Sequence, residues 1–145
     1  MQVQQGRVFI GRLPHHGDLL MSLTDLCRQE NIRLGVFSVI GALTGARLGY
    51  YNQNTRNYIE CLRLDERLEI VSATGNISLK DSQIFVHSHI ILSNDQGATY
   101  GGHLVEGCMI FAAEYCIREL TGGELVRQED SQTGLSLWPL SNTSR

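Results

Sequence analysis

The segment HSHIILSNDQGATYGGH, residues 87–103, predicts a β-hairpin that carries histidines on both of its strands. Its middle, SNDQG, consists of turn-forming residues. His87 and His89 share one face of the first strand, because side chains along a strand alternate with a period of two. A hairpin centred near Gln96 then places His89 opposite His103 on the same face of the sheet.

Three histidines on one face form a candidate metal site. Directly opposed residues have Cβ atoms ~5 Å apart, close enough for their side chains to share a ligand. Zinc bound by three neutral imidazoles keeps a fourth position free to activate water. The alternative is that the histidines only form hydrogen bonds, and a hairpin shifted by one residue would send His103 to the other face. The spacing alone leaves both interpretations open.

The composition is that of one globular domain over residues 1–145, with 42% apolar and 19% charged residues. No apolar run approaches the ~20 residues that cross a bilayer. The first residues, MQVQQG, lack the basic and apolar regions of a signal peptide. We therefore expect a cytoplasmic protein without membrane association. The four cysteines form no Cys-x-x-Cys pair, which predicts reduced core residues rather than a cysteine zinc site.

The charge pattern argues against tight binding of nucleic acid. The formal net charge is −3, and the twelve basic residues, eleven arginines and Lys80, are scattered singly along the chain. Binding to a DNA duplex needs several phosphate contacts from one surface. No linear cluster supplies them, although arginines gathered by oligomerisation, such as Arg47, Arg56 or Arg63, remain a possible source of a basic surface.

The hydrophobic pattern predicts an α+β domain in which strands outnumber helices. Asp18 is a good N-cap, and apolar residues at helical spacing behind it predict a helix that stops at Asn31. The predicted strands cover 7–13, 33–40, 46–51, 57–64, 68–79, 84–92, 99–105 and 135–138. Glycines in 41–45 predict a tight connection between the second and third strands. Residues 109–120 fit a helix and a strand equally well.

Several short segments occur in a characteristic order along the chain. They are PHHGD at 14–18, SVIGA at 38–42, RLEIVS at 67–72, TGNIS at 74–78, HSH at 87–89 and GGHLVEG at 101–107. In this order and spacing the chain resembles the plant and prokaryote conserved (PPC) domain, which plants fuse to AT-hook peptides and prokaryotes often make alone. The resemblance runs from about residue 7 to residue 138, the core of a single PPC-like domain.

The resemblance implies a mostly antiparallel sheet with one or two flanking helices, assembled as a homotrimer. It also implies that His87, His89 and His103 occupy positions where some prokaryotic members hold a metal ion. The AT-hook, a short Arg-Gly-Arg core, is absent from the sequence. A DNA-binding role therefore rests on analogy with hooked relatives.

Three hypotheses for the function follow. The first is a homotrimeric zinc-binding protein, with zinc on His87, His89 and His103, which either stops at metal binding or catalyses metal-assisted chemistry on a small-molecule ligand. The second is a DNA-associated regulatory protein. The third is a purely structural interaction trimer whose histidines only form hydrogen bonds. The sequence identifies no substrate and does not decide whether the protein is an enzyme.

Overall fold

Antiparallel strands make up most of the protein in a computed structural model, which describes residues 1–140. The strands are β1 (Gln4–Leu13), β2 (Gly35–Asn52), β3 (Asn57–Leu64), β4 (Leu68–Lys80), β5 (Gln83–Ser93), β6 (Thr99–Leu104), β7 (Met109–Thr121), β8 (Gln128–Glu129) and β9 (Ser136–Leu137). The one helix of this part, α1, spans Leu19–Gln29. The predicted α+β class with a mostly antiparallel sheet is confirmed.

The main sheet has seven strands, in the order β1-β7-β2-β4-β5-β6, with β3 paired to β2. β2 has different neighbours along its length. Its first part lies between β7 and β4, and its last part pairs with β3 and also with β6 through Leu48 and Gly49. The strands β2, β4, β5 and β6 therefore form a closed circuit, which brings the β5–β6 hairpin next to the end of β2.

The predicted connection at 41–45 is wrong, because these residues lie inside β2. The strand continues there instead of ending. Its register with β4 shifts between Val39 and Gly41, and its register with β7 shifts between Ala42 and Gly45. Gly41 has φ 144°, and a Cβ at this position would lie 2.2 Å from the carbonyl oxygen of Ala112. Glycine here permits a bulge in a continuous strand, which a sequence pattern does not distinguish from a turn.

Residues 109–120, which fitted both a helix and a strand, belong to strand β7. β7 lies between β1 and β2 and pairs with both. Its buried side chains, Ile110, Ala113 and Ile117, face the core. Their irregular spacing reflects register shifts near Ala42 and Leu43 of β2. Pairing on both edges satisfies the backbone groups and decides the ambiguity in favour of the strand.

Helix α1 covers the inner face of the sheet and leaves the histidine face outside. Asp18 caps the helix by accepting a hydrogen bond from the Met21 amide at 3.0 Å. The buried positions Leu19, Leu23 and Cys27 follow a spacing of four residues and form the packed face of the helix. β5 is among the strands that α1 contacts. The even-numbered residues of β5 from Val86 to Leu92 are buried on the core side, so His87 and His89 point to the opposite side of the sheet.

The segment after β7 returns across the end of the sheet beside β4. Leu79 donates a backbone hydrogen bond to Leu125 and accepts one from Arg127. β8 and β9 then form a short hairpin, so the last predicted strand, 135–138, is observed as Ser136–Leu137. Within residues 1–140 no helix combines the length and the apolar character needed to cross a bilayer.

Candidate metal centre

The histidines predicted to meet do lie together on the outer face of the sheet. His87 and His89 come from β5 and His103 from β6. His89 pairs directly with His103, the register that the turn predicted. One ring nitrogen from each residue lies within 4.8 Å of the others, and the ring centroids are 5.0–5.4 Å apart. The three imidazoles can therefore face one point.

Burial keeps two of these imidazoles neutral. His87 and His103 are partly buried, whereas His89 is exposed. The pKa of His87 is lowered to about 4, first by desolvation and then by the neighbouring His103, Arg127 and His89. The pKa of His103 is lowered to about 4, first by desolvation and then by His89 and Arg127. At neutral pH both rings thus keep a lone pair available for a metal ion.

The donor set fits a zinc-type ion. Nδ1 of His103 is buried and has no hydrogen-bond partner within the described chain, which is costly unless a ligand occupies the site. In a tetrahedral zinc site with bonds of ~2.0–2.1 Å, the ligand nitrogens lie ~3.4 Å apart. The separations, all within 4.8 Å, exceed this value by at most about 1.4 Å. Modest rotation of the side chains would close the difference.

Tyr58 of β3 covers the ring of His103. The two ring centroids are 4.7 Å apart and the planes are tilted by 31°. Burial raises the pKa of the Tyr58 hydroxyl, and the nearby charge of Arg127 opposes that shift. Sequence reasoning missed Tyr58 because its approach depends on the end of β2, which lies between β3 and β6. No local pattern signals this arrangement.

Arg127 lies on the other side of the site. Its side chain is buried, and its Nη2 atom is 3.5 Å from Nδ1 of His87. The guanidinium also lies over the rings of Phe85 and Trp138, at 5.1 and 5.4 Å. Sequence reasoning missed this residue as well, because a single arginine far along the chain carries no motif. Its position follows from the pairing of the C-terminal segment with β4.

A cavity of about 750 Å³ opens beside the histidines. Its lining includes His87, His103, Tyr58, Phe85 and Arg127, together with residues of the β8–β9 hairpin. Protein cavities that bind small molecules typically have volumes of ~300–1,000 Å³ and combine apolar walls with a few polar groups. The site can thus hold a small molecule next to a metal ion.

The fold and the site define a class: an antiparallel α+β domain with a three-histidine cluster at one end of its sheet. The model of the Plants and Prokaryotes Conserved (PCC) domain matches residues 1–121. The chain belongs to this family, which confirms the resemblance found in the sequence. Arg127 lies beyond the matched residues.

Two solved structures are similar over nearly the whole chain. A metal-containing protein from Archaeoglobus fulgidus is 38% identical, with a TM-score of 0.89 over 96% of this chain and 97% of that one. A plant- and prokaryote-conserved protein from Pyrococcus horikoshii is 34% identical, with a TM-score of 0.90 over 96% of this chain and 95% of that one. Both carry the fold described above.

Among curated proteins, the bifunctional protein GlmU of Synechococcus sp. (strain JA-3-3Ab) is 35% identical over 130 residues. The match takes in 88% of this chain and 20% of that protein. A second GlmU, from Synechococcus sp. (strain JA-2-3B'a(2-13)), is 34% identical over 119 residues, which are 81% of this chain and 17% of that protein. The chain thus spans about a fifth of the length of the curated relatives it matches.

Proposed function

We propose that the protein binds one divalent metal ion per chain, zinc, through His87, His89 and His103. The observation that carries this proposal is the buried, unpartnered Nδ1 of His103 within a cluster of three imidazoles. Imidazole nitrogens suit zinc, and zinc accepts three protein ligands and an open fourth position. The similarity to a metal-containing protein from Archaeoglobus fulgidus, at 38% identity, supports the same assignment.

The site is proposed to act on a small molecule. Bound zinc would supply Lewis acidity, either to lower the pKa of water or to polarise a carbonyl group. The chain itself prepares the ligands, because burial holds His87 and His103 in the neutral form. Tyr58 packs against the ring of His103. The aromatic rings of Tyr58 and Phe85 also supply apolar surface to the cavity wall.

Metal analysis of untagged protein tests the proposal. Wild-type protein should carry about one zinc per chain, and His103→Ala should lose most of it, because a two-ligand site binds zinc weakly. The matched control is His16→Asn, which removes an exposed imidazole outside the cluster from a residue at φ 63°. Asparagine tolerates this backbone conformation. Equal metal content in all three proteins would refute the proposed site.

We further propose that the protein is a homotrimer whose subunits meet through the outer face of the sheet. Apolar side chains on that face are exposed in the single chain: Val8, Ile10, Val36, Ile40 and Ile91. Val8 and Val36 both pair with Arg118 of β7, and Ile10 and Ser38 both pair with Cys116, so these side chains lie on the same face of the sheet. Exposed apolar surface of this kind marks interaction sites. The number of subunits comes from the family resemblance.

Light scattering tests the assembly. The mass expected is about three times 16.2 kDa, the mass of the chain. A single-chain mass at micromolar protein concentration would contradict the trimer. The metal proposal would remain, since all three of its ligands come from one chain.

A further inference from the structure

Arg127 is a buried positive charge without an acidic partner. Its residue exposure is 8%. No carboxylate oxygen within residues 1–140 lies closer than 4.0 Å to its guanidinium nitrogens. A buried charge of this kind is expensive unless a counterion or several hydrogen bonds compensate it. The surroundings of Arg127 supply hydrogen bonds but no negative charge.

Neutral acceptors hold the guanidinium in one orientation. Nε donates to the hydroxyl of Ser78 at 3.0 Å, Nη1 to the carbonyl of Ser136 at 3.0 Å and Nη2 to the side-chain oxygen of Asn76 at 2.8 Å. Each terminal nitrogen of a guanidinium carries two N–H groups. The second N–H of Nη2 faces Nδ1 of His87, so one N–H on Nη1 is left without a partner among these groups. Nη2 lies beside His87, at 3.5 Å from its Nδ1.

Arg127 also lines the cavity beside the histidines. The same cavity is lined by His87, His103 and Arg127, so a molecule in it meets the histidine cluster and the guanidinium together. Its acidic lining residues, Asp81 and Glu129, do not pair with Arg127. An exposed arginine, Arg56, lines the cavity as well and donates to the carbonyl of Ser131 at 3.3 Å. The charge next to the histidines is thus positive.

We infer that this cavity binds a small molecule through an oxyanion group, a carboxylate or a phosphate, held between Arg127 and the metal position. The inference rests on the proposed metal function and names the chemical class of its ligand. A guanidinium N–H donates a charge-assisted hydrogen bond to such groups, and bonds of this kind are among the strongest in proteins. The open position of a three-histidine zinc site accepts an oxygen ligand. The oxyanion supplies the negative charge that the surroundings of Arg127 lack.

A structural role for Arg127 makes a different prediction. Its contacts with Ser78, Asn76 and Ser136 attach the C-terminal segment to β4, and stacking on Phe85 and Trp138 adds to this attachment. If attachment were the only role, replacing Arg127 would lower stability and leave the affinity for anions unchanged in the folded protein. The two roles are therefore separable by measuring binding and stability in the same variants.

The test is a calorimetric titration of the zinc-loaded protein with acetate in one arm and inorganic phosphate in the other. Arg127→Met should weaken binding of the preferred anion at least about tenfold, the loss expected for one charge-assisted hydrogen bond, with the zinc content unchanged. The matched control, Arg56→Met, removes an exposed arginine from the same cavity and should change the affinity less than about twofold. The arm with the tighter binding identifies the group as carboxylate or phosphate.

A second variant and a second measurement keep the test valid if Arg127→Met fails to fold. Arg127→Lys keeps the charge without the planar fork and should bind the anion with intermediate affinity. In the wild-type protein, the NMR resonance of the Arg127 Nε–H group should shift during the titration. If neither anion binds the zinc-loaded protein, or if Arg127→Met and Arg56→Met behave alike, the inference is wrong and the metal proposal stands.

The metal proposal can also fail separately. If the wild-type protein holds no zinc, the same titrations are made on the metal-free protein. Anion binding that Arg127→Met weakens would then support the Arg127 subsite without the metal. No binding in the metal-free protein would overturn the inference.

Discussion

Replacing Gly75 with alanine should separate the two strands that position His87. Gly75 lies on β4, opposite Ser88 of β5. A Cβ at this position would lie 2.1 Å from the carbonyl oxygen of His87 and 2.6 Å from Cζ of Phe37. Both neighbours are constrained, the first by the backbone ladder and the second by the core. Relief of the contact requires the β4 and β5 backbones to move apart.

The cost follows from these contacts. Overpacking in a constrained site costs ~1–3 kcal/mol, and each ladder hydrogen bond weakened by the movement adds ~1 kcal/mol. We expect a loss of about 3 kcal/mol in the free energy of unfolding, which for a chain of this size lowers Tm by roughly 6–12 °C. Because His87 moves with β5, the affinity for zinc should fall as well.

The assay is thermal unfolding followed by circular dichroism, at one fixed protein concentration because Tm depends on concentration in an oligomer. The matched control is Gly101→Ala on β6. A Cβ there would lie 3.4 Å from the carbonyl oxygen of Ile90 and 3.9 Å from the side chain of Ile91, which are ordinary contacts. Equal Tm values for the two variants would refute the argument from close approach.

Three further predictions concern protonation, assembly and nucleic acid. The pKa values of His87 and His103 are lowered to about 4, so below pH ~6.5 the unfolded metal-free protein binds more protons than the folded protein. The free energy of unfolding should therefore fall as the pH drops towards 5, which urea unfolding measures. A His103→Gln variant should show a smaller dependence on pH. Ile10 is 80% exposed in the single chain. Because the proposed interface lies on the outer face of the sheet, Ile10→Glu should lower the mass measured by light scattering below that of a trimer. An unchanged mass would place the interface elsewhere. A labelled DNA duplex should bind weakly at ~0.15 M salt, with any low-salt binding lost as salt rises, and sequence-selective nanomolar binding would contradict this.

Local patterns predicted the histidine hairpin correctly because its register depends on a short turn and on alternation along two adjacent strands. The observed pairing of His89 with His103 is the register expected for a hairpin centred near Gln96. The cap at Asp18 is equally local, since one side chain satisfies an amide within the next turn of the chain. In both cases the interacting residues are close in sequence.

The rest of the site depends on contacts that sequence patterns do not encode. Gly41 is part of a segment whose glycines predicted a turn. In the structure β2 pairs on both edges there, and Gly41 forms a bulge within one continuous strand. Tyr58 reaches His103 only because β2 bends and pairs with both β3 and β6. Arg127 reaches His87 through pairing of distant segments. Each depends on tertiary structure overriding a weak local preference.

The histidines and Arg127 lie in parts of the fold that differ in their resistance to local unfolding. β5 pairs with β4 and β6 inside the closed circuit of strands, so amides around His87 and His89 should exchange hydrogen slowly. Arg127 precedes a hairpin of two-residue strands, whose few hydrogen bonds break at a lower free energy. Opening of that hairpin would break the hydrogen bond from Nη1 of Arg127 to Ser136 and expose the cavity, while Ser78 and Asn76 keep the guanidinium on β4 and the histidines stay in register. On the proposed function, a bound molecule would thus leave the cavity without loss of a metal ion held by the histidines.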